Sequence, residues 1–468
     1  MIAGQTHKKK SVSSSGYACA RLAGIADLGA LHAHNPERYP HLLASTAQDS
    51  SRSRYDILFA FPGKSLTLDA DQRLCHDQQK LDTNDFLAAF DREWRRLSVP
   101  ADAPADDAPP FTGGWFVYMG YELAAQIEPS IGNATSKSTF PIASAARFPA
   151  AVINDHATRQ TLLVCEANRE QELLPMLRDD VGRQEMPADA DIVLGNIREE
   201  PPEQFLEQVE RIQDYIQAGD VFQVNLSRAW RIELEKSATS LSLFRRLSSS
   251  NPAPFAGLMT FNKERAIISS SPERLVEVRN GMVRTRPIAG THPRSPDSAE
   301  DRKLSQALMQ HPKERAEHIM LIDLERNDLG RVCRTGTVKV NELMVLESYR
   351  HVHHIVSEVS GSLRDGMSPA DVMRAVFPGG TITGCPKVRC MQIIAELEHT
   401  PRMAYTGSMG YVNRDGSMDL NILIRTLVQN GREIQLRAGA GIVADSIPER
   451  ELHETRAKAK GLLAALGI

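Results

Sequence analysis

The chain of 468 residues has few cysteines, no long apolar run and little excess charge of either sign. Its six cysteines include no C-x-x-C pair, which argues against zinc ribbons and redox motifs and indicates reduced thiols. No apolar stretch approaches the roughly 20 residues of a membrane span. The formal net charge of −4 gives no basic surface for nucleic acid. We therefore expect a cytoplasmic protein that has neither a membrane nor a nucleic acid as a partner.

The chain is long enough for one large domain or for two to three ordinary ones. Residues 1–24 contain three successive lysines but no apolar stretch of signal-peptide quality, and we interpret them as a mobile tail. Residues 183–202 are polar, acidic and proline-bearing. We interpret them as a connection between an N-terminal region, 25–182, and a C-terminal region, 203–468.

The periodicity of the C-terminal region predicts an α+β fold. Apolar residues at spacings of four, three and four predict a helix over 203–220, and a strand follows over 221–230. A second helical block is expected over 297–327, with a break at Pro312. Residues 405–443 predict an antiparallel meander with turns at NRDG and NG. Strands and helices come in runs rather than in strict alternation, which favours α+β.

The middle strand of this meander carries a single cation, Arg425. Leu420 and Ile422 alternate with Leu423 and Leu427, so the strand is apolar on both faces and is expected to be covered on both sides. A buried guanidinium needs a fixed anionic partner. The residues alone allow two partners, a protein carboxylate in a structural ion pair or the carboxylate of a substrate.

Three glycine-bearing stretches can bring backbone N–H groups close to an anion. Residues 285–294, TRPIAGTHPR, hold small residues between two prolines. Residues 437–446, RAGAGIVADS, suit an anion nest or a strand bulge equally well. Residues 377–389, FPGGTITGCPKVR, lead into a predicted helix start, a usual place for anion binding. Their spacing matches neither a Walker loop nor a Rossmann fingerprint, which argues against a nucleotide site.

Two E-x-x-E pairs lie in predicted helices, Glu314 with Glu317 and Glu451 with Glu454. A spacing of three places each pair on one helix face. Four carboxylates brought together suit Mg²⁺, which prefers oxygen ligands. Exposed glutamates on ordinary helices explain the pattern as well, and Glu454 with Lys458 has the spacing of a surface ion pair. Both interpretations stay open from the residues alone.

Two further features suit proton transfer. Glu273 follows a proline where a strand changes to a loop, and burial there would raise its pKa and make it a general acid. A solvated loop residue is the alternative. His351, His353 and His354 lie in a strand-like segment without a nearby cysteine, which disfavours zinc. One buried histidine that donates a hydrogen bond or carries a proton is more plausible, and a satisfied core histidine is the alternative.

Taken together, these segments resemble the chorismate-using enzymes that include component I of anthranilate synthase and of aminodeoxychorismate synthase. The resemblance covers about residues 203–466 through FQVNLSR, SSSPERL, TRPIAGTHPR, KERAEHIMLIDLERNDLGRV, FPGGTITGCPKVRCMQII, GSMGY, DLNILIRT, AGAGIVADS and ELHETRAKA. The N-terminal half matches more loosely through YPHLLAS, YDILFAFPG and GGWFVYMGYELAAQIEP. In this order and number the C-terminal motifs are highly specific.

The resemblance implies a fold, a substrate and a metal. The implied fold is α+β, with two large antiparallel β-sheets packed together and helices outside. The implied substrate is chorismate, a small dianion, and the implied metal is Mg²⁺, held directly or through water. The Mg²⁺ would hold the ring carboxylate of chorismate and draw off electron density. The implied Mg²⁺ site comprises Glu314, Glu317, Glu451 and Glu454.

The resemblance also assigns expected roles around the substrate. Glu273 would protonate the departing C4 hydroxyl. The residues implied at the reacting centre are Glu273, His354 and Thr381. The residues implied to line or bind the substrate are Ala289, Gly290, Thr291, Tyr405, Arg425, Gly439, Gly441 and Lys458. Of these, Tyr405, Arg425 and the two glycines of AGAG would bind the enolpyruvyl carboxylate.

Two positions bear on the nucleophile and on the branch of the family. Isochorismate and salicylate synthases activate water with a lysine where this chain has Gln223, so we expect ammonia as the nucleophile. Aminodeoxychorismate synthases often carry a lysine where this chain has Ala289, and that lysine forms an adduct at C2. Anthranilate synthases carry alanine there, so this position favours anthranilate synthase.

Other segments favour the aminodeoxychorismate branch. VNLSR is similar to that branch, whereas anthranilate synthases read closer to VVPSR. YPHLLAS has Ala44 where tryptophan-inhibited anthranilate synthases have the glutamate of LLES, and GGWFVYMGYELAAQIEP also fits the aminodeoxychorismate branch. We therefore predict aminodeoxychorismate synthase component I, which makes 4-amino-4-deoxychorismate for 4-aminobenzoate and folate. Anthranilate synthase component I is the alternative, and a catalytically silent homologue is a less favoured one.

The sequence also bears on the source of ammonia. No Cys-His-Glu module for hydrolysing glutamine is visible in the chain. We therefore expect ammonia to come from a separate glutamine amidotransferase subunit, which would be the protein partner of this chain.

Overall fold

A computed structural model describes residues 16–47, 54–100, 108–132, 140–183, 192–348 and 352–468, without the side chains at positions 291–293, 313 and 352. Two large antiparallel sheets carry most of the described residues, and helices pack around them. This confirms the expected α+β class with two packed sheets. None of the helices in the described ranges is long and apolar enough to cross a membrane.

The bounds of the helices are as follows. The α-helices are α1 (Leu28–His34), α2 (Phe86–Leu97), α3 (Ala124–Ile127), α4 (Glu170–Gly182), α5 (Pro202–Gln217), α6 (Ser240–Ser250), α7 (Ser298–Gln310), α8 (Pro312–Gly330), α9 (Pro369–Val376), α10 (Lys387–Leu397) and α11 (Pro448–Leu466). Short 3-10 turns lie at Tyr121–Leu123, Pro129–Ile131, Ala167–Arg169 and Gly380–Ile382.

The strands follow the same chain order. Those before α5 are β1 (Tyr17–Ala23), β2 (His41–Ala44), β3 (Tyr55–Ala60), β4 (Ser65–Leu68), β5 (Leu74–His76), β6 (Gln79–Lys80), β7 (Gly114–Met119), β8 (Ala143–Phe148), β9 (Ala150–Asp155), β10 (Gln160–Glu166) and β11 (Leu194–Glu199). Those after α5 are β12 (Gln223–Leu234), β13 (Phe255–Thr260), β14 (Arg265–Ser271), β15 (Arg274–Arg279), β16 (Met282–Thr285), β17 (Ile288–Pro293), β18 (Lys339–Ser348), β19 (Val352–Ser362), β20 (Gly384–Cys385), β21 (Ser408–Asn413), β22 (Met418–Asn421), β23 (Thr426–Asn430) and β24 (Glu433–Ile442).

Both sheets combine strands from the two halves of the chain. The first sheet has the order β1-β10-β9-β3-β2-β13-β14-β23-β24-β12-β11, with β20 also paired to β12. The second has the order β17-β19-β16-β15-β22-β21-β7-β8-β4-β5-β6, with β18 also paired to β19. The N-terminal and C-terminal regions therefore share both sheets.

Two segments differ from their expected roles as a tail and a connection. Tyr17–Ala23 pairs along its whole length with β10, so the interpretation of residues 1–24 as a mobile tail does not hold for this part. Residues 1–15 lie outside the described ranges. Within the expected connection, Leu194–Glu199 pairs with β12 at the edge of the first sheet. Both strands gain their backbone partners from distant sequence, which local composition does not reveal.

The predicted helices of the C-terminal region are confirmed. Phe205, Val209 and Ile212 are buried on one face of α5. Gly219 adopts a φ of +81° just beyond the end of this helix, a conformation that glycine enters at little cost. The break predicted at Pro312 separates α7 from α8.

The predicted middle strand of the meander is not continuous. It divides into β22 in the second sheet and β23 in the first, so the chain crosses between the sheets at residues 422–425. The apolar residues that were expected on two faces of one strand therefore serve two sheets. Arg425 lies at this crossing with a φ of +54°, which a long side chain rarely adopts. Arg425 therefore lies at a junction between the two sheets and not within a strand, as the sequence had predicted.

A second crossing lies beside the first. The chain leaves β14 in the first sheet and enters β15 in the second through Pro272 and Glu273. The N–H of Ile422 donates to the carbonyl of Glu273 at 3.0 Å, and the N–H of Ser270 donates to the carbonyl of Arg425 at 3.0 Å. The backbone thus holds a predicted acid and a predicted anion anchor side by side between the sheets.

Candidate active site

Glu273 is a buried carboxyl group at one of the two crossings. Its residue is 5% exposed, and its Oε1 accepts the N–H of Ile288 at 3.3 Å. Burial raises the pKa of Glu273 to about 8, while the N–H of Ile288, the nearby hydroxyl of Thr381 and the charge of Lys458 oppose this rise. A carboxyl with a raised pKa holds its proton at neutral pH. Glu273 therefore has the protonation state that a general acid needs, and it is not a solvated loop residue.

Thr381 and Ala289 border this acid from two directions. Thr381 lies on the 3-10 turn Gly380–Ile382, close enough to favour the charged form of Glu273. Ala289 is buried on β17 opposite Ile355, directly after the residue whose N–H binds Glu273. The structure thus brings three of the predicted residues to one place.

Arg425 is a half-buried cation without a carboxylate partner in the part of the chain that the structure describes. Its Nη1 donates to the backbone carbonyl of Lys458 at 2.5 Å, and no ion pair to it is formed there. Burial lowers the pKa of Arg425, and Tyr405 and Glu454 lie close enough to oppose this shift. A half-buried guanidinium that donates only to a backbone carbonyl has N–H groups left to bind an anionic ligand. The geometry thus favours a ligand anchor over a structural ion pair.

Lys458 adds a second cation on α11. Its Nζ donates to the carbonyl of Gly439 at 2.9 Å and pairs with Glu454 at 2.6 Å. The surface pair that the spacing of four allowed is therefore present. The same lysine is near enough to Glu273 to lower its pKa, so it lies between the acid and β24.

Gly439 faces a narrow space between β12, β24 and Tyr405. A Cβ at Gly439 would lie 2.7 Å from the Tyr405 hydroxyl, 2.8 Å from Oδ1 of Asn225 and 2.7 Å from the Leu226 carbonyl. Any side chain here would fill the space beside these polar atoms. The Oδ1 of Asn225 is buried and accepts no hydrogen bond from the described residues. This corner therefore presents a hydroxyl and an amide oxygen that are available to a ligand.

A buried ion-pair network supports the turn that carries Tyr405. Glu398 pairs with Arg402 at 2.7 Å and with Arg437 at 3.0 Å. The Arg402 guanidinium lies 5.6 Å from the Tyr405 ring centre. Burial of Tyr405 raises its pKa to about 12, so its hydroxyl stays protonated as a hydrogen-bond donor.

Glu398→Gln is expected to lower the free energy of unfolding by about 3–5 kcal/mol, because it leaves two buried guanidinium groups without their counter-charge. Chemical denaturation followed by circular dichroism measures this loss. Glu396→Gln, an exposed change in the last turn of α10, is the control, with a change in unfolding free energy below about 0.5 kcal/mol. Equal stability of the two variants would contradict a supporting role for the network.

Gly290 lies at a bulge in β17, where the register with β19 shifts between positions 289 and 291. Its φ is +80°, and a Cβ there would lie 2.9 Å from Oε2 of Glu314. The positive φ favours glycine here, and any side chain would displace the end of the Glu314 side chain. Thr291 pairs through its backbone with His354, and its side chain lies outside the described part of the structure.

His354 is neutral at physiological pH and buried. Burial lowers its pKa to about 4, and the charge of Arg425 adds to the shift, whereas the nearby Gly290 backbone opposes it. His353 instead bonds Asp301 at 3.0 Å and Ser348 at 2.7 Å, as expected of a satisfied core histidine. His351 lies outside the described residues.

The two glutamate pairs lie on α8 and α11 as predicted. Glu317 accepts a hydrogen bond from the side-chain amide of Gln223, which also contacts the space where a Cβ of Gly441 would lie. Glu451 is half-buried on α11, one turn from Glu454. Across the described ranges, no three His, Cys, Asp or Glu side chains converge as ligands of one ion. The four glutamates border the same region but do not form a cage in this structure.

One buried carboxyl near the site was not singled out from the sequence. Glu325 is buried on α8 and lies near Glu273, whose pKa its charge raises. The signal was present in the spacing, because Ile322, Glu325 and Leu329 recur at three and four residues on a buried helix face. A carboxylate in such an apolar stripe is expected to be buried and to have a raised pKa.

These groups define an enzyme-type site, with a buried acid, two adjacent cations and glycines that leave room for a small anionic ligand. The model of the chorismate binding enzyme family matches residues 40–464, and the chain belongs to this family. It is a chorismate-utilising enzyme of the group that contains anthranilate synthase and aminodeoxychorismate synthase.

Relatives of both kinds are similar to this chain. An anthranilate synthase component I-like protein of Synechocystis sp. is 43% identical over 361 residues, covering 76% of this chain and 73% of the relative. Aminodeoxychorismate synthase component 1 of Bacillus subtilis is 38% identical over 405 residues, 84% of each chain. The crystal structure of anthranilate synthase component I from Streptococcus pneumoniae superposes with a TM-score of 0.76 at 32% identity, covering 88% of this chain and 93% of that one.

Proposed function

We propose that this chain is component I of aminodeoxychorismate synthase, which replaces the C4 hydroxyl of chorismate with an amino group from ammonia. The observation that carries the proposal is the buried Glu273, protonated at neutral pH within reach of the Lys458 charge. Hydroxide is a poor leaving group, so the C4 hydroxyl needs a proton as its C–O bond breaks. Glu273 supplies that proton, water leaves, and ammonia forms the new C–N bond and then loses a proton.

The substrate's enolpyruvyl carboxylate would lie against Arg425 and the Tyr405 hydroxyl. Arg425 has a half-buried positive charge with no counter-carboxylate among the described residues, and Tyr405 stays protonated beside Gly439. Charge-assisted hydrogen bonds of this kind are strong when they are buried. They would orient the ring so that the C4 hydroxyl faces Glu273, with neutral His354 beside it.

Mg²⁺ is the cofactor that we propose for the ring carboxylate. The donors on α8 and α11 are all carboxylates, which suits a hard cation, and the bulge at Gly290 leaves space beside Glu314. Glu317 and Glu454 would exchange their bonds to Gln223 and Lys458 for the ion. The proposed holding residues are Glu314, Glu317, Glu451 and Glu454. When bound, Mg²⁺ would neutralise the carboxylate and withdraw electron density from the ring.

Asn225 favours the aminodeoxychorismate branch. Anthranilate synthases usually have valine at this position of the strand motif, whereas here a buried amide oxygen borders the Tyr405 hydroxyl. An acceptor in the pocket can hold a polar hydrogen of ammonia or of the ring, which valine cannot. The Bacillus subtilis relative of this branch covers 84% of the chain.

Anthranilate synthase component I is the second candidate, and Ala289 favours it. The small side chain leaves space beside the ring, which would allow ammonia to attack C2 directly. Several similar relatives also carry this name. Its products would be anthranilate and pyruvate.

The test is product identification after incubation of the purified chain with chorismate, MgCl₂ and ammonium chloride. We expect a product that an added aminodeoxychorismate lyase converts to 4-aminobenzoate, with no pyruvate before the lyase is added. Anthranilate and pyruvate formed by the chain alone would establish the second candidate instead. Removal of Mg²⁺ with EDTA is expected to stop turnover, and added Mg²⁺ to restore it.

The nitrogen source is a further part of the proposal. We expect turnover with ammonium salts but not with glutamine, because glutamine would require a separate amidotransferase subunit. Turnover with glutamine and no added partner would contradict this part. The proposed location remains the cytoplasm, where the thiols would stay reduced.

A further inference from the structure

Glu325 is a buried carboxyl group that the proposed reaction does not use. It is 6% exposed and lies on the face of α8 that carries Leu321, Ile322 and Leu329 into the core. A carboxylate in such surroundings is costly unless it is neutral or compensated. The groups around Glu325 therefore determine whether its carboxyl is charged or neutral.

Four elements face Glu325. Asp328 lies on the same helix as Glu325, and Lys387 lies on α10. The Nζ of Lys387 pairs with Asp328 and donates to the Val376 carbonyl at 3.3 Å. Thr285 of β16 faces it with its hydroxyl. The 3-10 turn faces it with Gly380, where a Cβ would lie 3.3 Å from the Glu325 Oε1.

The turn Gly380–Ile382 lies between Glu325 and the proposed acid. The N–H of Gly380 favours the charged form of Glu325, and the hydroxyl of the next residue, Thr381, favours the charged form of Glu273. Adjacent residues of one tight turn thus lie beside two buried carboxyl groups. This places the carboxyls close enough for the charge of one to act on the other.

We propose that Glu325 is a positioning residue whose negative charge keeps the proton on Glu273 until the substrate takes it. The inference rests on the proposed role of Glu273 as the acid. Glu325 touches neither the substrate nor the reacting atoms, and acts through the field that it exerts across the turn.

The pKa shifts of the two carboxyl groups agree with this role. Burial and the charge of Asp328 raise the pKa of Glu325 to about 7, while Lys387 opposes the rise. The pKa of Glu273 is raised to about 8, in part by Glu325. An ionised Glu325 therefore disfavours the loss of the proton from Glu273. Two such carboxyls titrate as a coupled pair.

The direct test is the titration of the Glu273 side-chain carbon by ¹³C NMR in protein labelled at the glutamate carboxyl carbons, with the resonance assigned from Glu273→Gln. In Glu325→Gln, which keeps the size of the side chain, we expect the Glu273 transition to fall by roughly one pH unit. An unchanged transition would overturn the proposal. Asp323→Asn, an exposed change on the same helix, is the control and should leave the transition in place.

The unsubstituted protein gives a second test that does not depend on the folding of a variant. The Glu273 resonance should titrate in two steps, the first of which reports the ionisation of Glu325. A single step without that response would overturn the proposal. Glu325→Asp, which retains the charge, should restore the two-step curve.

Activity provides a readout that a merely structural role would not move. With the concentration of free ammonia held constant, the basic limb of the kcat profile should shift down by the same pH interval in Glu325→Gln. The rate at pH 6 should stay within about threefold, because Glu273 is protonated there in both proteins. A uniform loss at every pH would contradict the proposal. If the chain fails to turn over chorismate, the proposed function fails, and the NMR titrations still decide the coupling.

Discussion

Glu273→Gln is expected to lower kcat by about 10²- to 10⁴-fold, because the amide cannot donate a carboxyl proton to the departing hydroxyl. The KM for chorismate should change little, since glutamine has the same size and can still accept the N–H of Ile288. Steady-state kinetics with chorismate, Mg²⁺ and ammonia measures both constants.

The pH dependence of the unsubstituted enzyme also tests Glu273 as the general acid. The raised pKa of Glu273, about 8, keeps the acid protonated at neutral pH. As the pH rises above this value the protonated fraction falls, so activity should decrease on the basic side. Glu277→Gln, four residues along the chain in β15, is the control and should retain activity within about threefold. Comparable losses in both variants would show that Glu273 has no special chemical role.

Arg425→Met is expected to raise the KM for chorismate by about 100-fold, because the cationic anchor of the substrate carboxylate is lost. Its effect on folding should be opposite to that of breaking a structural ion pair. Arg425 has no carboxylate partner among the described residues, so an apolar side chain should leave the melting temperature unchanged or raised. Thermal unfolding and steady-state kinetics together separate binding from stability.

Arg437→Met is the control, because Arg437 is more deeply buried than Arg425 and pairs with Glu398 at 3.0 Å. It should cost about 3–5 kcal/mol of unfolding free energy while the KM of the folded protein stays within a few fold. A loss of stability in Arg425→Met with an unchanged KM would assign Arg425 to a structural ion pair instead.

Local patterns in the sequence predicted the helices well, because apolar residues recur with helical spacing on the face that a helix buries. Phe205, Val209 and Ile212 recur at the expected spacing and are buried together. The strand crossing at Arg425 was not predictable in this way. A strand that is covered on both faces and a segment that crosses from one sheet to another both appear in the sequence as a continuous run of apolar residues.

The residues of the candidate site are distant in sequence and meet only in the folded chain, so local patterns predicted some of them and missed others. Glu273, Thr381 and Ala289 come together because β15, the 3-10 turn and β17 meet, although they lie far apart in sequence. Motif resemblance located them, whereas spacing alone left Glu273 as an acid or a loop residue. Glu325 was missed because its role depends on Gly380 and Lys387, whose proximity only the folded chain reveals. The proposed Mg²⁺ ligands stay a prediction, because no carboxylate cage forms among the described residues.

The most direct measurement of the central claim is a crystal structure of Glu273→Gln, the variant expected to bind without turnover, grown with chorismate and Mg²⁺. We predict chorismate between the two crossings, with its enolpyruvyl carboxylate bound by Arg425 and Tyr405 and its C4 hydroxyl within hydrogen-bonding distance of the side chain at position 273. Chorismate bound elsewhere, or with its C4 hydroxyl directed away from that side chain, would contradict the account.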